Sequence, residues 1–238
     1  MFTALITGGS RGIGAAAVRA FINAGYRTAF FYRSSESAAQ ALAAETGAYP
    51  IRCDVRDSAA VSAACAEAKK RLGHIDVLVN NAGVAQQKLF TDITDEDWRA
   101  MLDTNLSGAF YACRAVLPDM ISRRYGRIIN VGSIWGQVGA SCETHYSAAK
   151  AGLIGLTKGL AKEVGLSGVT VNCICPGVIE TDMLASFTQD DLAALADETP
   201  VGRLGTPEDI ARSILWLADP QSSFITAQII GVNGGFGE

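Results

Sequence analysis

The chain predicts an α/β fold, a single doubly wound parallel sheet with helices on both faces in three αβα layers. Three observations predict it. Short apolar runs rich in Val, Ile and Phe alternate with longer amphipathic stretches along the whole chain. A glycine-rich turn, TGGSRGIG from Thr7 to Gly14, joins the first apolar run to the first amphipathic one. No linker, low-complexity tract or internal repeat breaks the alternation, so residues 1–238 read as one domain.

In order, the strand candidates are Ala4–Thr7, Thr28–Tyr32, Tyr49–Asp54, Val77–Asn80, Arg127–Ser133, Val169–Cys175 and Gln228–Val232. Each is short, apolar and bounded by turn residues. Helical patterning fills the intervals Gly12–Ala24, Ser37–Thr46, Ala59–Leu72, Asp95–Asp103, Ser107–Arg123 and Ser147–Gly165. Thr206-Pro207-Glu208 is a capping residue followed by proline at the first helical position, and it opens a helix to about Ala218. Gly177–Pro200 is the least strand-like stretch and reads as a helical insertion, a substrate lid near residues 178–200.

Composition narrows the function. Of 238 residues, 49% are hydrophobic, enough for one large core, and the net charge of −4 argues against nucleic acid or an anionic membrane as partner. No basic leader precedes the first apolar run, and no run approaches the roughly 20 apolar residues that span a bilayer. The six cysteines are scattered, and Cys173-x-Cys175 has no second pair beside it, so no metal site is expected. Buried free thiols in a reducing cytoplasm account for them.

The glycine turn has the shape of a phosphate site. Gly8, Gly12 and Gly14 remove the Cβ atoms that would obstruct a tight turn, and the following helix offers free N–H groups and partial positive charge. Strand before and helix after give a Rossmann-like dinucleotide site, with G-x-x-x-G-x-G spacing in place of G-x-G-x-x-G. NAD-binding sheets carry an acid at the end of the second strand to hold the ribose 2′-hydroxyl. Here Tyr32 stands in that place, followed by Arg33 and Ser34, and Arg11 lies in the turn beside Ser10. Arginines pair with a 2′-phosphate that a carboxylate would repel, so NADP(H) is the expected cofactor.

Further motifs follow in order: NNAG at Asn80–Gly83, DTNLSG containing Asn105, INVGS ending at Ser133, YSAAK from Tyr146 to Lys150, and CPGVIET from Cys175 to Thr181. With the glycine turn they resemble the classical short-chain dehydrogenase/reductase family over nearly the whole chain. The resemblance implies a catalytic tetrad of Asn105, Ser133, Tyr146 and Lys150. It implies cofactor contacts from Gly8, Ser10, Arg11, Gly12, Ile13, Gly14, Tyr32, Arg33, Ser34, Asp54, Val55, Asn81, Ala82 and Gly83, from Tyr146 and Lys150, and from Pro176, Gly177, Ile179 and Thr181. It also implies a homotetramer built on helices near residues 95–123 and 147–165, burying Phe110 and Leu160.

Chemistry gives these residue types roles. Lys150 lies one helical turn from Tyr146, and its charge and the helix N-terminus are expected to lower the phenol's pKa. Ser133 can donate to a developing alkoxide. The Asn105 amide is expected to hold a water leading to Lys150. His145 is expected to point away from Tyr146 and serve no base role, and His74 to be solvated.

For the substrate, the whole chain resembles 3-oxoacyl-[acyl-carrier-protein] reductases of fatty acid biosynthesis. That resemblance implies an acyl carrier protein docking on a basic patch, for which Arg123, Arg124 and Arg127 are candidates. Ser167 stands where a base is common. SIWGQVGASCE, Ser133–Glu143, is similar to reductases of a 5-aminopentanone group on elongation factor P. There Trp135 and Glu143 would meet an amine. Met183 of the lid is a third substrate candidate. A small ketone or sugar is a further alternative, and a non-catalytic NADP-binding sensor is the rival from another class.

Overall fold

The computed structural model describes residues 1–184 and 187–237. Its strands are β1 (Thr3–Thr7), β2 (Arg27–Tyr32), β3 (Tyr49–Arg52), β4 (Val77–Asn80), β5 (Gly126–Val131), β6 (Val169–Pro176) and β7 (Ile229–Val232). They form one parallel sheet in the order β3-β2-β1-β4-β5-β6-β7. The helices are α1 (Gly12–Asn23), α2 (Glu36–Thr46), α3 (Ser58–Leu72), α4 (Asp95–Leu102), α5 (Gly108–Arg123), α6 (Trp135–Val138), α7 (Thr144–Val164), α8 (Gln189–Asp197) and α9 (Pro207–Ala218).

The predicted doubly wound sheet is therefore the one observed. All seven strand expectations fall on strands, with ends displaced by at most two residues. The sheet's strands are nearly continuous apolar runs because both faces are covered. One face packs Phe30, Val79 and Ile129 against Phe21 of α1 and Ile210, Ile214 and Leu217 of α9. The other packs Leu5, Phe31 and Leu78 against Leu72 of α3, Val116 of α5 and Val164 of α7.

Chain order reverses between β1 and β4, where helices leave toward opposite faces. Ligands of such sheets bind in the crevice at the carboxyl ends of the strands beside this switch point. The turns after β1, β2, β3 and β4 all end there. The predicted cap at Thr206 is present: its hydroxyl accepts from Asp209 N–H at 3.2 Å, and Asp209 closes a capping box. Between β6 and α9 the described residues include a short turn at Asp182–Leu184 and α8, capped by Thr188. The side chain of Met183 lies outside the described residues.

Two local features were not expected. Trp135–Val138 forms a single helical turn, α6, wedged on α7; a Cβ on Gly136 would sit 2.9 Å from the Lys150 backbone. Asp103–Ser107, which carries Asn105, is a π-helical segment joining α4 to α5.

Candidate active site

The first half of the site is a cavity of about 280 Å³ at the switch point. Gly8, Ser10, Arg11, Gly12 and Ile13 from the glycine turn line it. So do Tyr32, Arg33 and Ser34 after β2, Asp54 and Val55 after β3, Asn81, Ala82 and Gly83 after β4, and Thr181. Fourteen residues assigned to the cofactor from sequence thus meet on one surface. Phe31, Ser35, Cys53, Val84, Thr104 and Asp182 line it as well and were missed. Their neighbours in sequence carried the signal, and only tertiary contact adds them.

The turn is built by close approach. Gly8 has φ +64°, and a Cβ there would lie 2.8 Å from the Ala82 Cα. A Cβ on Gly14 would lie 2.1 Å from the Gly8 carbonyl oxygen, so Gly14 is a packing residue and does not line the cavity. Asn81 ties the turn to β4: its Nδ2 donates to the carbonyls of Thr7 at 3.1 Å and Gly8 at 2.9 Å. Thr7 Oγ1 accepts from the backbone N–H groups of Asn81 and Ala82.

Charge around the cavity is uneven. Arg33 is exposed, and no described carboxylate pairs with it. Arg11 faces Asp182 across the mouth at 3.4 Å. The Asp54 carboxylate is held by Arg56, 2.6 Å from Nη2, and accepts the Arg56 N–H, so it caps its own turn and its pKa is lowered by that guanidinium. Two arginines, two serines and a helix N-terminus are a donor set for phosphate oxygens. The glycine cradle and this donor set fit a phosphate-bearing dinucleotide.

The second half is a buried corner formed by the ends of β5 and β6 and the first turns of α7. Gly83 joins the two halves: a Cβ there would lie 2.7 Å from Asn105 Oδ1 and 3.6 Å from Lys150 Nζ. Ser133 is buried at the end of β5, where its Oγ accepts from Trp135 N–H at 3.1 Å. Lys150 is 4% exposed; its Nζ donates to the Val131 carbonyl at 2.8 Å and lies 5.6 Å from the Tyr146 ring centre.

Here one expectation is overturned. The Tyr146 phenol is not lowered: burial pushes it up to about 12, a hydrogen bond with Ser133 pulls it back, and the Glu143 carboxylate pushes it up again. Burial instead brings Lys150 down to about 8. Desolvation is the largest cause of both shifts, and the buried Lys150 ammonium is committed to the Val131 carbonyl.

A second correction concerns Asn105. Its amide is not free to hold water. Nδ2 donates to the carbonyls of Val84 and Met101 at 3.0 Å, and Oδ1 accepts the Val84 N–H at 3.2 Å. The side chain bolts the π segment to the strand β4 loop.

The remaining candidates scatter. Ile179 is buried and paired with Gly205, and Gly177 packs against Asn233, where a Cβ would lie 2.9 Å from the Asn233 Cα. Pro176 ends β6, and its carbonyl accepts from Ile134 N–H. None of these three lines the cavity. Trp135 packs edge-on against Phe236 at 5.7 Å. His145 is fully buried and its Nε2 meets Gln86 Oε1 at 2.9 Å. His74 is not simply solvated, since its Nε2 lies 3.0 Å from Asp76.

The basic patch also changes. Arg127 is 3% exposed, bonded to the carbonyls of Gly126 and Pro220 over the Tyr125 ring. Arg123 is spent on Asp76 and Asp119. Arg124 alone of the three is exposed, with Nη2 on the Leu166 carbonyl. Arg127 is hidden because β5 is an interior strand covered on both faces, so every one of its residues is buried.

Fold, glycine cradle and the Ser-Tyr-Lys corner define an oxidoreductase of the nucleotide-binding α/β class. A family model described as "Enoyl-(Acyl carrier protein) reductase" matches residues 8–237. An acetoacetyl-CoA reductase of Shinella zoogloeoides is 45% identical, covering 98% of this chain and 97% of its own. The 3-oxoacyl-[acyl-carrier-protein] reductase FabG of Escherichia coli (strain K12) is 39% identical, covering 98% and 96%. The chain belongs to the short-chain dehydrogenase/reductase family. Among the described residues no helix is long and apolar enough to cross a membrane.

Proposed function

We propose that the protein is an NADPH-dependent reductase of 3-oxoacyl thioesters, forming the 3-hydroxyacyl product. One observation carries the reading. Ser133 and Lys150, both buried, meet Tyr146 in one corner that adjoins the phosphate cavity through Gly83. The reductases of acetoacetyl-CoA and of 3-oxoacyl-carrier substrates that it resembles support the thioester. Arg11 and Arg33 support NADP(H) over NAD(H).

A nicotinamide dinucleotide held by the glycine turn, Arg11, Arg33 and the residues after β4 would supply a hydride to the carbonyl carbon. Ser133 Oγ donates a hydrogen bond to the carbonyl oxygen as negative charge develops on it. Tyr146 Oη gives that oxygen its proton; a phenol near 12 is still a far stronger acid than an alcohol, so the transfer runs toward product. Lys150, protonated below about pH 8, stabilises the phenolate left behind and returns a proton to it. Asn105 positions the Val84 loop and does not touch the reacting atoms. With Arg127 buried and Arg123 paired, a carrier protein would find only Arg124 of the expected patch, which favours a free coenzyme A thioester over a carrier-bound one.

The test is NADPH oxidation with acetoacetyl-CoA, an acetoacetyl carrier protein, crotonyl-CoA and a sugar panel. Turnover is expected with both acetoacetyl thioesters, fastest with the coenzyme A form. Turnover on crotonyl-CoA alone, or on none of them, would remove the reading.

A further inference from the structure

Three consecutive residues of the loop after β4 bond to the start of α7. Lys88 N–H donates to the Cys142 carbonyl at 2.7 Å, Gln87 Nε2 donates to Glu143 Oε1 at 3.4 Å, and Gln86 Oε1 lies 2.9 Å from His145 Nε2. The first two contacts join partly exposed residues. The third ends on a side chain with no solvent exposure at all. His145 is the second residue of α7 and immediately precedes Tyr146.

The other end of that bond is fixed too. Gln86 Nε2 donates to Asp97 Oδ1 at 3.0 Å. Lys88 Nζ, 2.6 Å from Asp97 Oδ2, keeps that carboxylate ionised, and the Thr94 N–H donates to the same oxygen in the cap of α4. An ionised carboxylate only accepts, so the Gln86 amide turns its nitrogen to Asp97 and its oxygen to His145. Nε2 of His145 must then carry the ring proton. Nδ1 is left a bare acceptor, buried and without a partner among the described residues. An enclosed, unpaired nitrogen costs stability, and an apolar side chain in its place would not incur that cost. The polar work of the ring is therefore its single bond to Gln86. The loop is anchored at its start as well, where Asn105 bonds both the N–H and the carbonyl of Val84.

We infer that His145 is a positioning residue: through its bond to Gln86 it holds the first turn of α7 against the loop after β4 and so sets where the Tyr146 phenol stands. The inference rests on the reading of Tyr146 as proton donor to a ketone. His145 moves no proton itself, since its one free nitrogen is enclosed. A displaced donor slows the chemical step, whereas the glycine turn and Arg33 lie in the other half of the site and keep their geometry. The loss should therefore appear in kcat and not in cofactor affinity.

His145→Leu, His145→Gln, Gln86→Met and the double variant His145→Leu/Gln86→Met test it, with NADPH and acetoacetyl-CoA. In His145→Leu kcat should fall roughly thirtyfold, with the Kd for NADPH and the KM for acetoacetyl-CoA within about twofold of wild type. His145→Gln keeps an N–H that can reach Gln86 and should recover kcat to within about fivefold of wild type. The double variant should be no slower than the slower single one, because both remove the same bond. Circular dichroism and melting curves report folding, and if His145→Leu does not fold, Gln86→Met decides by the same kcat loss. Wild-type kcat in a folded His145→Leu overturns the inference, and so does a His145→Gln no faster than His145→Leu, which would make the residue a packing group. No NADPH oxidation by the wild-type protein with any ketone, acetoacetyl-CoA included, overturns the reductase reading and this inference with it.

Discussion

The two halves of the site are built by opposite means. The cavity at the ends of β1 to β4 is made of backbone: glycines, a helix N-terminus and an asparagine clamp, with its arginines left at the surface. The corner at β5, β6 and α7 is made of side chains whose properties come from burial, with Ser133 and Lys150 enclosed and Tyr146 pushed up to about 12. A backbone site tolerates little change of shape but holds its charge in water. A side-chain site holds its shape through packing, and its charge is at the mercy of desolvation. The difference teaches where each kind of mutation should act.

The sharpest break is expected in the corner. Tyr146→Phe removes the proposed proton donor while leaving the ring in place, and kcat should fall by about a thousandfold with cofactor binding retained. Steady-state kinetics and NADPH fluorescence separate the two. A variant keeping more than a tenth of the activity would show that burial, and not the phenol, makes this corner.

Next comes the backbone half. Gly14→Ala forces a Cβ onto the Gly8 carbonyl and should cost about 3 kcal/mol of stability or abolish NADPH binding. Thermal unfolding and cofactor titration read it. A wild-type melting point with normal affinity would mean that the turn is not rigid.

The pH response tests the desolvation claim. Lys150 has a folded pKa of about 8 against roughly 10.4 unfolded. Between these values the unfolded chain binds more protons, so burial of Lys150 costs stability below pH 8 and the cost is relieved as pH rises toward 10. The wild-type protein should gain about 2 kcal/mol relative to Lys150→Met between pH 7 and pH 10 in urea unfolding. Parallel curves would show that the lysine is not desolvated.

The smallest effect belongs to the solvated charges. Arg33→Ala should raise the KM for NADPH about tenfold and leave that for NADH nearly unchanged. Equal effects on both cofactors would place Arg33 away from a 2′-phosphate.

Much of the first half was legible because its signals are local. A glycine turn between strand and helix, and NNAG after β4, state in a few residues both what they build and where. Even there Gly14 proved to be a packing residue and Asp54 the cap of its own turn, since a one-dimensional pattern does not show what lies opposite. Legibility fell in the corner. Ser133, Tyr146 and Lys150 stand out through the family resemblance, but the direction of the phenol's pKa does not follow from its helical neighbours, which say nothing of burial. Asn105 was given a free amide because Val84, 21 residues away, is invisible from DTNLSG.

By itself, then, the sequence determined the alternation of strands and helices, the parallel sheet that follows from it, the glycine turn and the kinds of side chain available for chemistry. These depend on periodicity, on glycine's missing Cβ and on the functional groups themselves. The tertiary structure decided which of those groups carry charge, which arginines reach water, and which polar atoms are already spent. Those properties depend on solvent access and on partners far away in the chain: burial sets the energy of every charge, and no residue's burial is written in its own neighbourhood.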